Sequence, residues 1–284
     1  MDGEKVQKIY CSLKDAVLYS AHYLKNSLTD ITDWLLDRRE EMTPPKRLAF
    51  SIGGNFKRAG EKFVQHFIEF GGLKQSDRVL DIGCGIGRMA VPLAKYLNGQ
   101  GSYEGFDIVA KSIDWCKENI TRKYPNFHFQ LADIYNKEYN PRGKHIPSQY
   151  KFPYDDNSFD FVFLTSVFTH MLPQDIDNYI SEISRVLKTD KKCLLTFFLI
   201  NEESSRAIEV GASSMNFRFK SDGFRTISQA TPEKAVAYDE ELVRRLCEKH
   251  KLDIVEPIHY GVWCGRASFL SYQDIIIAQR SRVP

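Results

Sequence analysis

Residues 79–90 read VLDIGCGIGRMA, an apolar run with an acidic residue near its end, three alternating glycines and the start of a helical pattern. Glycines at 83, 85 and 87 permit positive φ values and a close approach of backbone to ligand, because they carry no Cβ. Apolar residues recur at 90, 93, 94 and 97, one face of a helix that ends at Asn98-Gly99. The stretch predicts a strand, a loop and a helix whose free N–H groups face an anion, as in a nucleotide-type cofactor site.

The spacing of the glycines narrows the type of cofactor. The dinucleotide fingerprint is G-x-G-x-x-G, and its third glycine would fall at position 88, which is Arg88. Asp81 lies two positions before the first glycine, where its charge is unfavourable for a pyrophosphate but suits a ligand with an ammonium and a sulfonium. The G-x-G-x-G pattern with Asp81 resembles motif I of the class I S-adenosylmethionine-dependent methyltransferases. This resemblance implies S-adenosyl-L-methionine as the cofactor and a Rossmann-like fold.

The order of elements after residue 72 agrees with that fold. Strand and helical patterns alternate along the chain, which is typical of a parallel sheet. We expect strands at 79–82, 102–107, 127–131, 159–165, 193–200, 252–257 and 272–278. The predicted architecture is an α/β fold with a mostly parallel seven-stranded sheet, helices on both faces and an N-terminal helical extension.

The sequence divides into an N-terminal helical extension, residues 1–45, and a methyltransferase domain, residues 46–284. The extension contains two helical patterns, the second starting near Leu28 after a weak capping box of Ser27 and Asp30. It is a packed helical layer in one interpretation and a lid or dimer arm in the other. Two segments of the domain, 135–158 and 201–237, do not fit the alternation and are interpreted as insertions, which are often functional loops.

Charge and cysteine usage limit the expected partners. Lysine and arginine number 39 and aspartate and glutamate 37, so the net charge is +2, without a long run of one sign. This balance does not indicate a nucleic-acid or membrane partner. The six cysteines form no C-x-x-C pair, which favours reduced thiols. With no signal-peptide pattern and no apolar run of membrane-spanning length, we expect a cytoplasmic protein.

The resemblance to class I methyltransferases assigns roles to residues at the ends of the first two strands. Asp81, Gly83 and Gly85 are expected to hold the methionine end of the cofactor. Asp107 ends the second strand, twenty positions after Gly87, where a carboxylate accepts both ribose hydroxyls. NAD-binding folds place an acid at the same position, so Asp107 supports a ribose without distinguishing between cofactors. A solvated aspartate at a strand end is the alternative.

Further cofactor residues follow the third and fourth strands. As in members of the family, Asp133 is expected to accept the adenine amino group and Ile134 to contact the ring. Asp133 is alternatively an ordinary turn residue. Thr165, at the end of the fourth strand, is also assigned to the cofactor site. The segment FSIGGNF at 50–56 has the glycines and aromatics of a loop that closes over a cofactor.

The stretch after the fourth strand, LTSVFTH at 164–170, lacks the Asp/Asn-Pro-Pro-aromatic motif of many nucleic-acid and amide N-methyltransferases. Together with the near-neutral charge, this absence favours a small-molecule acceptor, methylated at oxygen. His170 is the candidate general base, because histidine can take a hydroxyl proton near neutral pH. Alternatively, His170 caps the helix at Pro173 or lines the pocket, and the reaction depends on alignment alone.

A candidate acceptor pocket consists of Tyr154, Trp263 and Arg266, which lie in loops that can flank the carboxyl ends of the strands. Arg266 would suit a substrate carboxylate or phosphate. Each of the three is alternatively a packing or surface residue. The seven histidines form no ligand-spaced cluster, so no metal is expected.

Three other functions remain open from the sequence. One is methylation of a protein or another macromolecule, with the N-terminal helices as the docking surface. Another is binding of S-adenosylmethionine or of a partner without catalysis. A nicotinamide dehydrogenase is the third, disfavoured by Arg88 in place of the last glycine. Neither the acceptor nor the oligomeric state follows from the motif, because specificity in this fold lies in the inserted segments.

Overall fold

The structure, a computed structural model, describes residues 23–33, 35–49 and 55–282. Its strands are β1 (Arg78–Ile82), β2 (Ser102–Asp107), β3 (Phe127–Leu131), β4 (Phe159–Leu164), β5 (Leu187–Phe197), β6 (Leu199–Ile200), β7 (Phe219–Ser221), β8 (Phe224–Thr226), β9 (Val236–Asp239), β10 (Leu252–His259) and β11 (Asp274–Arg280). Its helices are α1 (Lys46–Ala49), α2 (Phe56–Glu69), α3 (Ala90–Tyr96), α4 (Ala110–Cys116), α5 (Pro173–Val186), α6 (Glu202–Glu209) and α7 (Glu240–Lys249). Residues 23–33 are also helical.

Seven strands form the main sheet, in the order β10-β11-β5-β4-β1-β2-β3. The five strands from β3 to β5 in this order run parallel, and β11 is antiparallel to both β5 and β10. The predicted mostly parallel, seven-stranded sheet is therefore confirmed. Because the parallel strands share one direction, the loops after β1, β2, β3 and β4 emerge at the same carboxyl edge, where open α/β sheets bind ligands.

Helices cover both faces of this sheet. Successive residues of β1 belong to different buried clusters, Val79 to the cluster that includes α2, α3 and α4, and Leu80 to the cluster that includes α5 and α7. A strand that is covered on both faces must be apolar at successive positions, as β1 and β4 are. The glycine loop therefore follows a strand, β1, that is buried on both faces.

Residues 199–239 contribute a second sheet, in the order β6-β9-β8-β7. Its strands β7 and β8 lie in the segment 201–237, which the sequence analysis interpreted as an insertion and which also contains α6. A separate buried cluster that includes Phe198, Phe217 and Trp263 accompanies this sheet. Strands of two to four residues carry too little periodicity to be recognised in the sequence.

The predicted helix boundary at Ser27 is wrong. Residues 23–33 form a single helix, and the Ser27 hydroxyl donates to the Tyr23 carbonyl, 2.8 Å away, within it. Asp30 is buried, and its carboxylate accepts the backbone N–H groups of Lys46 and Arg47 at 2.6 and 3.1 Å. Asp30 therefore caps the short helix α1 instead of starting its own helix. The first predicted helix, over residues 6–24, falls mostly outside the described residues.

Asp274, the first residue of β11, joins the main sheet to the second sheet. Its side chain is fully buried, and it accepts the backbone N–H groups of Leu199 and Gly261 at 2.7 and 2.6 Å. It also accepts the indole N–H of Trp263 at 2.8 Å and contacts the Arg266 guanidinium at 3.2 Å. Burial raises the pKa of Asp274 to about 6. One carboxylate thus satisfies four donors from two segments, Leu199 and residues 261–266.

Replacing Asp274 should destabilise the protein strongly. We expect Asp274→Ala to lower the free energy of unfolding by about 3–5 kcal/mol, because it leaves buried donors and a buried guanidinium without their acceptor. Asp253→Ala is the matched control, since Asp253 is exposed on β10 and should change stability by no more than about 0.5 kcal/mol. Urea unfolding measures both variants, and equal midpoints would contradict the role of Asp274.

Candidate functional site

The glycine loop after β1 has the geometry of a ligand cradle. Gly83, Gly85 and Gly87 have φ values of 77°, 53° and 75°. A Cβ on Gly83 would lie 2.2 Å from Val167 Cγ2, and one on Gly87 would lie 2.6 Å from Ile120 Cδ1. A Cβ on Gly85 would meet no atom within 4 Å. The outer two glycines are therefore required by packing, whereas Gly85 faces open space that a ligand can occupy.

Asp107 fixes the position of this loop. Its Oδ2 atom accepts the backbone N–H of Gly85 and its Oδ1 atom accepts that of Val109, both at 2.8 Å. Each carboxylate oxygen has two lone pairs, so each can still accept one ribose hydroxyl. Burial raises the pKa of Asp107, and the two backbone N–H groups oppose that rise. The residue is placed where the sequence predicts it, at the carboxyl end of β2 beside the glycines.

Asp81 is buried directly before the loop. The Tyr103 hydroxyl donates to its Oδ2 atom at 2.6 Å, while its Oδ1 atom is buried without a hydrogen-bond partner in the described part of the chain. Burial raises the pKa of Asp81 to about 8, the Tyr103 hydrogen bond opposes this, and the charge of Asp107 adds to it. An acceptor without a donor in such a place indicates that a ligand or water supplies the donor.

The predicted adenine and fourth-strand residues lie at the same edge. Asp133 follows β3 and is half-exposed, with the Lys144 ammonium 3.6 Å from its carboxylate. Ile134 is only 3% exposed, and its side chain packs in the core cluster that includes α5. Thr165 is half-buried at the end of β4. The next residue, Ser166, has a φ of 59° and donates its hydroxyl to Gln273 at 3.0 Å.

His170 is held in one tautomer. It ends a 3-10 turn after β4, and its Nδ1 atom lies 3.0 Å from the Glu233 carbonyl oxygen. A carbonyl only accepts hydrogen bonds, so Nδ1 carries the proton and Nε2 keeps the free lone pair. Burial lowers the pKa of His170, which keeps the ring neutral. The helix α5 is capped at Leu172, with Asp175 accepting its N–H, so His170 is not the cap.

The two segments that do not fit the alternation of strands and helices, 135–158 and 201–237, both contact His170. From residues 135–158, the Tyr139 ring packs edge-on against the imidazole at 5.4 Å, and Asn136 donates to the His170 carbonyl at 3.3 Å. From residues 201–237, Glu233 supplies the acceptor for Nδ1. Burial raises the pKa of Tyr139, and the charges of Glu138 and Asp107 add to this rise.

The structure does not assemble the predicted acceptor pocket. Tyr154 packs edge-on at 5.0 Å against Phe159, the first residue of β4, and also contacts Phe106 of β2 with ring centres 6.5 Å apart. Trp263 is fully buried and bonded to Asp274. The Arg266 side chain is 6% exposed and is paired with Glu203 at 2.7 Å and with Asp274. Trp263 and Arg266 are thus held by the buried carboxylate of Asp274, and Tyr154 is held by aromatic packing.

Three residues that the sequence analysis did not single out belong to this region: Tyr103, Tyr139 and Glu233. Of these three, only Tyr103 belongs to a local sequence pattern, Tyr-x-Gly on β2. The predicted cofactor loop at 50–56 lies mostly outside the described residues, and its penultimate residue, Asn55, caps α2. No group of three or more His, Cys, Asp or Glu side chains within the described ranges could hold a metal ion. None of the described helices is long and apolar enough to cross a membrane.

The sheet order and the glycine cradle define a Rossmann-like protein of the methyltransferase type. The chain belongs to the methyltransferase domain family, whose model matches residues 73–251. A model described as protein-L-isoaspartate(D-aspartate) O-methyltransferase also matches residues 5–140. The predicted membership of the class I S-adenosylmethionine-dependent methyltransferases is therefore confirmed.

Among curated relatives, the chain is 26% identical to tRNA N(3)-cytidine methyltransferase METTL2 of Gallus gallus, over 59% of this chain and 43% of that protein. It is also 26% identical to 2-phytyl-1,4-naphtoquinone methyltransferase of Trichormus variabilis, over 50% of this chain and 56% of that protein. The chain thus spans about half the length of the curated relatives it matches.

The solved structures agree on the fold. Magnesium protoporphyrin IX methyltransferase from Synechocystis, crystallised with bound S-adenosylhomocysteine, aligns with a TM-score of 0.50 at 17% identity, covering 90% of this chain and 96% of that one. A putative sarcosine dimethylglycine methyltransferase from Galdieria sulphuraria aligns with a TM-score of 0.52 at 15% identity, covering 79% and 86%. At these identities the likeness establishes the fold alone.

The buried carboxyl of Asp81 should make stability depend on pH. Its pKa is about 8 in the folded chain, against about 3.9 when unfolded, so the folded state holds a proton that the unfolded state releases. Between pH 4 and 8 this group therefore lowers the free energy of unfolding by up to about 1.4 kcal/mol per pH unit. Asp81→Asn removes this effect, so the free energy of unfolding of the variant should increase relative to that of the wild type as pH rises.

Thermal melts at pH 5, 6.5 and 8 test this prediction. Asp253→Asn, an exposed change on β10, provides the control for the loss of one negative charge. Parallel wild-type and Asp81→Asn curves would show that the Asp81 carboxyl is ionised in the folded protein.

Proposed function

We propose that this protein is an S-adenosylmethionine-dependent methyltransferase that methylates a small organic acceptor at a hydroxyl oxygen. The observation that carries the proposal is the fixed tautomer of His170, with a free Nε2 lone pair beside Tyr139 at the carboxyl edge. A neutral histidine in that place suits an acceptor that must lose a proton. Family membership and the geometry of the glycine loop support the cofactor half of the proposal.

The cradle fits S-adenosylmethionine in shape and charge. Gly85 leaves the space that a ligand needs next to the backbone, and Asp81 offers a buried acceptor without a donor. Asp107 would accept the ribose hydroxyls, and Asp133 would accept the adenine amino group. When bound, the cofactor supplies a methyl group made electrophilic by its sulfonium. Ile134 contributes packing behind this site, because its side chain is in the core.

His170 would act on the acceptor and not on the cofactor. In this role the acceptor hydroxyl would lose its proton to Nε2 during methyl transfer, while Nδ1–H would stay hydrogen-bonded to the Glu233 carbonyl. The resulting imidazolium then releases the proton to solvent. The lowered pKa of His170 favours that release and keeps the base ready for the next turnover. Tyr139 would form the wall between the acceptor and the ribose side of the cleft.

The curated relatives differ in the size of the acceptor for which they are named. The quinone methyltransferases among them are named for small molecules, and METTL2 is named for a tRNA. The near-neutral charge and the absence of the Asp/Asn-Pro-Pro-aromatic motif from residues 164–170 support the small-molecule alternative. With a net charge of only +2, little overall electrostatic attraction of the kind that dominates nucleic-acid binding is available. Methylation of tRNA or protein is the second candidate.

Transfer of labelled methyl from S-adenosylmethionine to a fractionated cell lysate tests this function. We expect label in the small-metabolite fraction with the wild type. Gly85→Ala should reduce transfer at least about tenfold, because its Cβ enters the open space of the cradle. Gly72→Ala is the matched control, since Gly72 has a similar φ of 71° and equally open surroundings away from the loop.

The fractions separate the alternatives. Label in protein or nucleic acid would show that the acceptor is a macromolecule and not a small molecule. Cofactor binding without transfer to any fraction would favour a binding module. Loss of transfer in both glycine variants would mean that Gly85 acts through stability alone.

The role of His170 predicts a distinct pH profile. His170→Ala should lower kcat by about 10²–10⁴-fold at pH 7, because the acceptor hydroxyl loses its proton acceptor. The rate of this variant should recover partly as pH rises and the acceptor ionises by itself, while the affinity for S-adenosylhomocysteine stays within about twofold. His128→Ala, on the exposed surface of β3, is the control. Full turnover of His170→Ala from pH 6 to 9 would contradict the general-base role and would show that catalysis depends on alignment alone.

A further inference from the structure

Tyr103 reaches Asp81 because of the register between β1 and β2. In this parallel pair Val79 lies beside Tyr103 and Asp81 lies beside Gly105, so all four residues belong to one face of the sheet. Two residues along a strand span about 6.6 Å, roughly the reach of a tyrosine side chain. A tyrosine that leans along β2 therefore places its hydroxyl at the level of Asp81.

Gly105 makes room for this arrangement. A Cβ at position 105 would lie 2.8 Å from the Tyr103 hydroxyl oxygen and 3.0 Å from Cys84 Cβ. The φ of Gly105 is not among the positive values, so the requirement is for space and not for an unusual backbone. The pattern Tyr-x-Gly on β2 thus encodes a path from the tyrosine to the acid beside the glycine loop.

The phenol ring is fixed in place. Tyr103 is fully buried and stacks on Phe127 with ring centres 4.9 Å apart and an interplanar angle of 12°. Phe129 contacts the same ring at 5.3 Å. With its ring held between aromatic neighbours, the hydroxyl has one carboxylate oxygen to donate to, Asp81 Oδ2 at 2.6 Å.

The remaining oxygen of Asp81 has no donor among the described residues. Asp81 is 2% exposed, and its Oδ1 atom is shielded from solvent. The titratable groups that face it are Tyr103 and Asp107 on β2, Cys84 in the loop and Cys116 on α4. Burial raises the pKa values of Tyr103 and both thiols above their usual range, so these three groups stay protonated near neutral pH. An ionised Asp81 would thus face a further acid and no compensating charge from these groups.

We propose that Tyr103 and Asp81 form a buried proton-holding pair that gives up its proton when the ammonium group of the cofactor binds, which makes Tyr103 a positioning residue for cofactor uptake. The proposal rests on the proposed function, because it needs a ligand that carries an ammonium at the glycine loop. Without ligand, the Asp81 carboxyl keeps its proton, since an ion in this place is poorly solvated. With ligand, the carboxylate accepts from the ammonium and from Tyr103 together.

The exchange conserves charge inside the cradle. The Asp81 carboxyl loses one proton to solvent, the ammonium enters with one positive charge, and no covalent bond other than O–H is broken. The uptake of ligand should therefore release close to one proton at pH 7, where Asp81 is mostly protonated. Affinity then rises about tenfold per pH unit up to about pH 8 and becomes constant above it.

Two ligands isolate this effect in isothermal titration calorimetry. S-adenosylhomocysteine has the ammonium, and 5′-methylthioadenosine keeps the adenosine but lacks the amino-acid part. Any titration of Asp107 affects both ligands, so the ratio of their affinities reports on the ammonium site. We expect this ratio to rise about tenfold from pH 6 to pH 7 in the wild type. Titrations in buffers of different ionisation enthalpy should count the released proton directly.

Tyr103→Phe distinguishes positioning from packing. Loss of the phenol hydroxyl removes a hydrogen bond that favours the ionised carboxylate, so the midpoint of the pH profile should move up by about one unit. At pH 7 the affinity ratio should fall about tenfold, while the affinity for 5′-methylthioadenosine stays unchanged. Tyr96→Phe is the matched control, because Tyr96 is the last residue of α3 and its hydroxyl donates to the Leu73 carbonyl at 2.8 Å, away from Asp81.

The outcomes separate this inference from the function on which it rests. A ratio that is flat from pH 6 to 8, or a midpoint that is the same in Tyr103→Phe and wild type, would overturn the proton-holding pair while leaving the cofactor in place. Binding of neither ligand would overturn the cofactor assignment, and the pair with it. If Tyr103→Phe fails to fold, the number of protons released by the wild type decides, and zero release would overturn the proposal.

Discussion

The attachment of the glycine loop to the end of β2 is the constraint on which the rest of the site depends. Asp107 holds the Gly85 N–H, and the carbonyl of Phe106 accepts the N–H groups of Gly83 and Cys84 at 2.9 and 3.1 Å. These bonds satisfy the backbone donors that a tight loop leaves unpaired, and they do so from a neighbouring strand of the central sheet. The loop is therefore fastened to the sheet by hydrogen bonds, and the space over Gly85 is open.

The proposed acceptor side is held in a different way. The cofactor side uses the ends of adjacent parallel strands, whereas His170 is held by contacts from two segments inserted between strands. Lys137 of the first segment donates to the Ala230 carbonyl of the second at 2.7 Å, so the two segments are also joined to each other. Because neither segment is needed to form the main sheet, their sequences can vary with the acceptor while the cradle stays constant.

Sequence reasoning correctly predicted the features that depend on short stretches of the chain. The glycine spacing, the placement of Asp107 at a strand end and the alternation of strands with helices each follow from short stretches, and the structure has the sheet they predict. It failed at Trp263 and Arg266, because their partner Asp274 was not singled out and its burial is a tertiary property. The small sheet was missed for the same reason, since its strands are short and are stabilised by a cluster of distant aromatics. No pattern near residue 170 shows that Glu233 supplies the partner of His170.

Asp81 illustrates why part of a site cannot be read from its motif. The motif places an acid before the glycines, but whether that acid is charged depends on Tyr103, two strand positions away on a neighbour, and on how fully the helices cover the sheet. A carboxyl group at this depth opposes folding above its unfolded pKa, and a neutral side chain of the same shape would make the free protein more stable. Such a residue is a cost to stability that only ligand binding offsets. The burial that stabilises the sheet and the acid that the cradle needs are therefore in conflict at one position, and Tyr103 reduces that conflict by donating to the carboxylate from within the core.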